Sequence, residues 1–332
     1  MPFAGTFTNH TSHFNRYREM SDYVTFPQAF ATYLNSGGLF SDTNYYYVLY
    51  GYPGTYTNDF SVVSTSLTVD ILVIGAGGGA GTTTTYAFFN STYNTLANAG
   101  GGAGQVLLYS SQTLPVGSYS ITVGQGGIYG DGISIAPTIG DSSQFGTLTA
   151  ASGGGAGGTT YSSPISGAYG GGGGAAAGFT AAGTGTAGFN GGAGRSANTA
   201  AGGGGAGTGG AGGAATNGVG GSSGIGISTY SSWLQAIYFA GVSGTYYLAP
   251  GGAGTPALSG ATATQYATAV PALTNATLYP QAQSGAGTSG VWYVGGGGSA
   301  LHTTGGVYQS RGQSAGPGAV IIRIPKSSIP AY

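Results

Sequence analysis

Glycine limits what this chain can fold into more than any other feature: 72 of its 332 residues are Gly, and they come in clusters such as 153–155, 170–174 and 202–205. A collagen helix is excluded, because it needs Gly at every third position with abundant Pro, and here Gly is clustered and Pro numbers only 13. Ordering one residue costs about 1–2 kcal/mol of backbone entropy, with Gly at the costly end. Glycine has no side chain to offset that cost. The compensation has to come from backbone hydrogen bonds between extended segments packed so closely that a Cβ would collide. This reasoning predicts a polyglycine II bundle, in which left-handed helices of three residues per turn bond laterally to one another. Residues 151–230 hold 32 Gly, and their neighbours are mostly Ala, Ser and Thr, small enough for such packing.

Charge removes further classes. Lys plus Arg total 6 and Asp plus Glu 7, so charged residues are 4% of the chain and the net charge is −1. An average soluble domain is roughly a quarter charged. Six scattered cations cannot build a phosphate-neutralising face, so no nucleic-acid partner is expected. With 40% hydrophobic residues the chain also lacks the signature of disorder. It has no Cys, so no disulfide framework exists. The start, MPFAGTFTNH, carries no basic and apolar secretory signal, and the most apolar window, Trp233 to Ala249, is too short and polar to span a bilayer. No membrane insertion is expected.

Three regions follow from composition. Residues 1–66 hold six of the charges and five Gly, and read as a separate small N-terminal module with a short helix over Phe26 to Leu34. Its Tyr cluster (Tyr45, Tyr46, Tyr47, Tyr50, Tyr52, Tyr56) is interrupted by the turn Gly51-Tyr52-Pro53-Gly54. Residues 67–326 alternate strands with glycine tracts, and 327–332 form a tail. The runs rich in β-branched and apolar residues are Thr68–Ile74, Gln105–Tyr109, Ser118–Val123, Ser143–Leu148 and Ala319–Ile324. Aromatic-rich insertions interrupt the tracts at Thr82–Ala99, Ile227–Pro250 and Pro256–Tyr293.

The succession TVDILVIGAGGGAG, AGGGAGQVLLYSSQTLPVGSYSITVGQGG, IGDSSQFGTLTAASGGGAGG and SAGPGAVIIRIP, from about Ser66 to Lys326, resembles the glycine-rich domain of phage tail-fibre and appendage adhesins. The resemblance implies a mainly β fold: a small glycine-rich β-sandwich carrying a polyglycine II bundle. It further implies loops that bind a host surface.

Several motifs invite other readings. Ile74-Gly75-Ala76-Gly77-Gly78-Gly79-Ala80 imitates a dinucleotide turn, but Thr82–Thr85 is a poor helix start and no acid occurs between Asp70 and Asp131. His10 and His13 lack a third ligand, so no metal is expected. Asp70 lies inside an apolar strand, Asp131 and Asp141 lie in turn sequences, and no nucleophile elbow accompanies His302. No catalytic residue, metal or cofactor is therefore expected. Three glycosylation sequons, beginning at Asn9, Asn90 and Asn275, occur at near-chance frequency in a chain so rich in Ser and Thr.

The aromatic insertions carry the functional expectation. The receptor-binding candidates are Tyr86, Phe88, Phe89 and Tyr93; Tyr230, Trp233, Tyr238, Phe239, Tyr246 and Tyr247; and Tyr266, Tyr279, Trp292 and Tyr293. Tyr and Trp give large contact area with a polar tip, which suits sugar or protein surfaces. These rings could equally cap the glycine bundle, which has no core of its own. The expected protein is an oligomeric virion appendage, a tail fibre or tip adhesin. It would dock to other virion proteins through residues 1–66 and bind a host surface polysaccharide or outer-membrane protein. The alternative is a capsid decoration protein whose aromatic loops are buried between subunits.

Overall fold

The computed structural model describes residues 23–25, 38–81, 98–130, 135–159, 162–173, 180–196, 201–216, 219–238, 245–255, 294–302, 310–312 and 314–329. The helix expected over Phe26–Leu34 lies outside these residues.

The fold is mainly β. A five-stranded antiparallel sheet has the order β2 (Gly38–Ser41), β3 (Tyr45–Tyr50), β11 (Ala319–Pro325), β5 (Leu67–Ile74), β6 (Val106–Leu114). A four-stranded antiparallel sheet packs against it in the order β1 (Val24–Thr25), β4 (Gly54–Val62), β7 (Gly117–Val123), β8 (Gln144–Phe145). The pair β9 (Ala300–His302) and β10 (Ser310–Gly312) forms a separate ribbon, and α1 (Ser231–Tyr238) is a two-turn helix.

The strand boundaries revise three expectations. Residues 38–62 are not a separate module: β3 pairs with β11 from Tyr50↔Val320 to Tyr45↔Pro325, and β4 pairs with β7. The sheets therefore cross the boundary expected at residue 66, and the Tyr-rich run supplies core strands. The strand expected over Ser143–Leu148 is only two residues long. Gly146, at φ +51°, turns the chain, and the Leu148 N–H bonds back to the Phe145 carbonyl at 3.0 Å. β6 extends past Tyr109 to Leu114, because its polar second half still pairs with Leu67–Val69 of β5.

Alternation along β3, β5 and β11 sends side chains to two buried faces. Tyr46, Val48, Tyr50, Ile71, Val73, Val320 and Ile322 meet the four-stranded sheet, packing with Phe60, Ile121 and Phe145. Tyr47, Leu49, Leu72, Ile74 and Ile321 face outward onto Trp233, Leu234, Ile237, Tyr246 and Leu248. Burial on both faces explains why these strands read as nearly unbroken apolar runs.

Above the sandwich stands the glycine bundle, and its hydrogen bonds repeat every three residues. The N–H groups of Gly100 and Ala103 bond to Gly203 and Ala206, those of Gly101 and Gly104 to Gly298 and Gly295, and those of Gly102 and Gln105 to Gly155 and Ser152. In return, segment 98–105 accepts bonds from Gly75, Gly78 and Gly81, from Gly172, and from Gly252 and Thr255. It is thus enclosed by six neighbouring segments, the hexagonal arrangement of polyglycine II. Segment 202–207 is enclosed likewise, by 98–105, 170–173, 191–194, 210–213, 221–224 and 252–255. Tracing these bonds among the described residues gives three stacked rows, with segment 180–183 bonded over one outer row through Gly171, Gly191 and Gly194. The middle row is 210–213, 202–207, 98–105, 75–81 and 125–130. Above it lie 191–194, 170–173, 152–158 and 138–141, and below it 221–224, 251–255, 294–298 and 315–318.

Sandwich strands run directly into this bundle. The β5–β6 pairing ends at Ile74↔Val106, and the same register continues through Gly75 to Gln105, Gly78 to Gly102 and Gly81 to Ala99. β7 likewise continues into 124–130, and 315–318 continues into β11.

Candidate functional site

The molecule has two poles, and the three insertions are not equivalent. The described chain enters at Tyr23, whose carbonyl accepts from Val63 N–H, and finishes beside Asn44, whose carbonyl accepts from Lys326 N–H. Both points lie at the foot of the sandwich. The far tip of the bundle is marked by Gly81 bonded to Ala99, Gly158 to Gly172, Arg195 to Ala201 and Thr255 to Asn98.

The first insertion leaves the bundle at Gly81 and returns at Asn98, both at the tip. The third leaves at Thr255, again at the tip, and re-enters at Val294 beside the sandwich, where Ala249 N–H bonds to the Val294 carbonyl. Their roots are tied together. Asn98 N–H donates to Thr255 Oγ1 at 3.0 Å, and Thr255 N–H to the Asn98 carbonyl at 2.9 Å. Asn98, Thr159, Thr255 and Ser299 are buried polar residues at the tip ends of glycine segments. The candidates Tyr86, Phe88, Phe89, Tyr93, Phe239, Tyr266, Tyr279, Trp292 and Tyr293 lie outside the described residues.

The second insertion starts and ends at the sandwich, where Ile227 and Leu248 exchange backbone bonds of 3.0 and 2.9 Å. Here Trp233 is 3% exposed and Tyr246 4%. They cover the outer face of the five-stranded sheet, so in this chain they act as a cap and do not form a presented surface. Tyr230 stands edge-on to Trp233, with ring centroids 5.9 Å apart, and is partly buried, as is Tyr247. Tyr238 ends α1.

Arg323 locks this cap in place. Its guanidinium lies 4.3 Å from the ring centroids of both Tyr45 and Trp233, and its Nη2 is 2.7 Å from Asp70 Oδ2. Asp70 Oδ1 also accepts from Ser111 N–H at 2.8 Å, at the bulge where the β5–β6 register shifts. Sequence reading missed this stack, although a signal was present: Arg323 and Asp70 are opposite charges, each interrupting an apolar strand. Beside it, Tyr47 donates to Asp42 Oδ2 at 2.6 Å, and Lys326 Nζ donates to the Asp42 carbonyl at 2.6 Å. Burial alone would raise the Asp42 pKa. Bonds from Tyr47, Asn44 N–H and Tyr45 N–H, with the Lys326 charge, hold it below the ordinary carboxylate value.

The buried phenols give a pH prediction. Desolvation, then hydrogen bonding to Asp42 and its charge, raises Tyr47; desolvation, then the 2.7 Å bond to Asp59 and its charge, raises Tyr50. In the unfolded chain phenols ionise near pH 10, whereas the native chain keeps these protons. The unfolded state therefore binds fewer protons above pH 10, and stability falls as pH rises. Tyr50 alone removes about 1.4 kcal/mol for each pH unit above 10. Urea midpoints at pH 8, 10 and 11 should decline steeply over the last interval; a flat profile would contradict the burial of these hydroxyls.

The described glycines of the dinucleotide-like turn lie in the bundle. Gly75, Gly77, Gly78, Gly79 and Gly81 enter the bundle, where a Cβ on any of them would overlap backbone atoms. Asp141 accepts Ala76 N–H through its carbonyl at 3.0 Å. Among the described residues no group of three or more His, Cys, Asp or Glu could hold a metal, and no helix is long and apolar enough to cross a membrane. His10, His13 and Asp131 lie outside the described residues.

A β-sandwich whose strands extend into a hexagonal glycine bundle defines a glycine-rich scaffold domain. Residues 52–325 match the family described as "Glycine-rich domain", and the chain belongs to that family. The match begins in the turn after β3, so β2 and β3 complete the five-stranded sheet from outside it. A comparison with curated proteins finds no match.

Proposed function

We propose that the chain is a structural component of a virus particle, a tail-fibre or tip adhesin that holds aromatic loops out towards a host surface. The supporting observation is the polarity of the fold. The described chain enters and leaves at the foot of the sandwich, while the first insertion is rooted wholly, and the third at its outgoing end, at the opposite tip. Residues 82–97 and 256–293 contain no Asp, Glu, Lys or Arg. Affinity on this reading comes from aromatic and amide contacts with a surface polysaccharide or outer-membrane protein, and it persists at high salt. The foot, with residues 1–22, docks to other virion proteins.

One observation favours the second reading, a decoration protein buried between subunits. Ile128, Tyr129, Ile135 and Ile139 are exposed along one edge of the bundle, where Thr138 N–H bonds to the Ile128 carbonyl at 3.1 Å. Adsorption separates the two readings. The labelled chain should bind host cells, and a chain with 82–97 replaced by Gly-Ser-Gly should lose binding while keeping its melting temperature. No adsorption by the parent chain, with full infectivity of particles lacking it, would sink the adhesin reading.

A further inference from the structure

We infer that the sandwich and bundle together form a column built to resist tension applied between its tip and its foot. The path of the chain sets this resistance, whatever the tip binds. Segments 75–81 and 98–105 are covalent continuations of β5 and β6, and their mutual register is unbroken from Ile74↔Val106 to Gly81–Ala99. A pull on the residues that join Gly81 to Asn98 is therefore delivered along the length of both strands.

Within the bundle the resisting bonds run sideways. Segment 98–105 is bonded on every side, so sliding it towards the tip shears its bonds to Gly203, Gly298, Gly155 and Gly172 together. In the sandwich the load passes from β5 to β11, which are antiparallel partners from Ala319↔Ile74 to Arg323↔Asp70. β5 is drawn from its bundle end and β11 from its foot end, so this pair too is loaded in shear, and the Arg323–Asp70 ion pair lies across it. Pulling the foot ends of the same two strands apart would instead open the pairs one at a time.

The absence of Cys makes the comparison clean. Two double variants of the full chain carry handles for single-molecule stretching. One, Asn90→Cys with Ser327→Cys, pulls from tip to foot. The other, Ser64→Cys with Ser327→Cys, pulls across the foot; Ser64 and Ser327 are exposed. Both should melt like the parent. Tip-to-foot rupture should need at least about twice the force of rupture across the foot, because bonds each worth roughly 1 kcal/mol break together in one geometry and in sequence in the other. Equal or lower axial force would overturn the inference. So would an early low-force step releasing 75–81 and 98–105 before the main rupture. Adsorption to cells plays no part in this measurement, so its failure and that of the adhesin reading are separable.

Discussion

Gly203→Val should unfold the chain or lower its melting temperature more than any other single substitution considered. Gly203 belongs to segment 202–207, enclosed on six sides, and a Cβ there would overlap the carbonyl oxygen of Gly192, with the carbonyl carbons of Gly192 and Ala193 close behind. A side chain can change rotamer to relieve overpacking, but these are backbone atoms. Gly192 is itself bonded to Gly204 at 2.7 Å, so it cannot retreat from Gly203 without breaking its bond to that same segment. Overpacking usually costs about 1–3 kcal/mol where neighbours can shift. With no such freedom the loss should exceed that range, a large share of the roughly 5–15 kcal/mol that holds a domain together. Gly172→Val should behave alike, since its Cβ would meet the Gly203 carbonyl. Ala193→Val, on an exposed position of the same bundle, is the control, expected within about 0.5 kcal/mol of the parent. Urea unfolding followed by circular dichroism reads all three, and an unchanged midpoint for Gly203→Val would refute close packing of the bundle.

Trp233→Ala should be the next most damaging change, at about 3–5 kcal/mol, the range for deleting a buried Trp. The ring is 3% exposed, stands edge-on to Tyr47 with centroids 5.9 Å apart, and covers one face of the Arg323 guanidinium. Removing it opens a cavity over Tyr47 and Ile321 and leaves Arg323 stacked on Tyr45 alone. At temperatures where the variant remains folded, adsorption to cells should match the parent. Lost adsorption by the folded variant would return Trp233 to the binding surface.

Much of this architecture was legible in the sequence, for identifiable reasons. Dense glycine with small neighbours can be ordered only by backbone bonding, so the bundle followed from composition. β5 and β11 were readable because β-branched runs ending at Gly75 and following Gly318 have few alternatives. The boundary at residue 66 misled because composition records charge and glycine content, whereas strand pairing joins segments distant in sequence. Nothing local to Tyr45–Tyr50 announces that β11 will lie beside it. The site was half legible. Aromatic insertions stood out, but their sequence cannot say at which pole each is rooted. For Trp233 and Tyr246 the sequence left presentation and capping equally open, and their position over Leu72 and Ile321 makes them core.

The place of β11 also sets a timetable for folding. The last strand among the described residues is the middle one of the five-stranded sheet, and its Arg323 lies 253 residues from the Asp70 it holds. At a synthesis rate of about 5–20 residues per second, that interval lasts about 13–50 s. During it β3 and β5 exist without the strand that joins them, their Val, Ile, Leu and Tyr side chains unpaired. The sheet cannot close on the ribosome in order of synthesis, and contacts this remote in sequence put the fold at the slow end of single-domain folding. Low charge leaves the waiting chain little electrostatic protection from its own copies until β11 emerges.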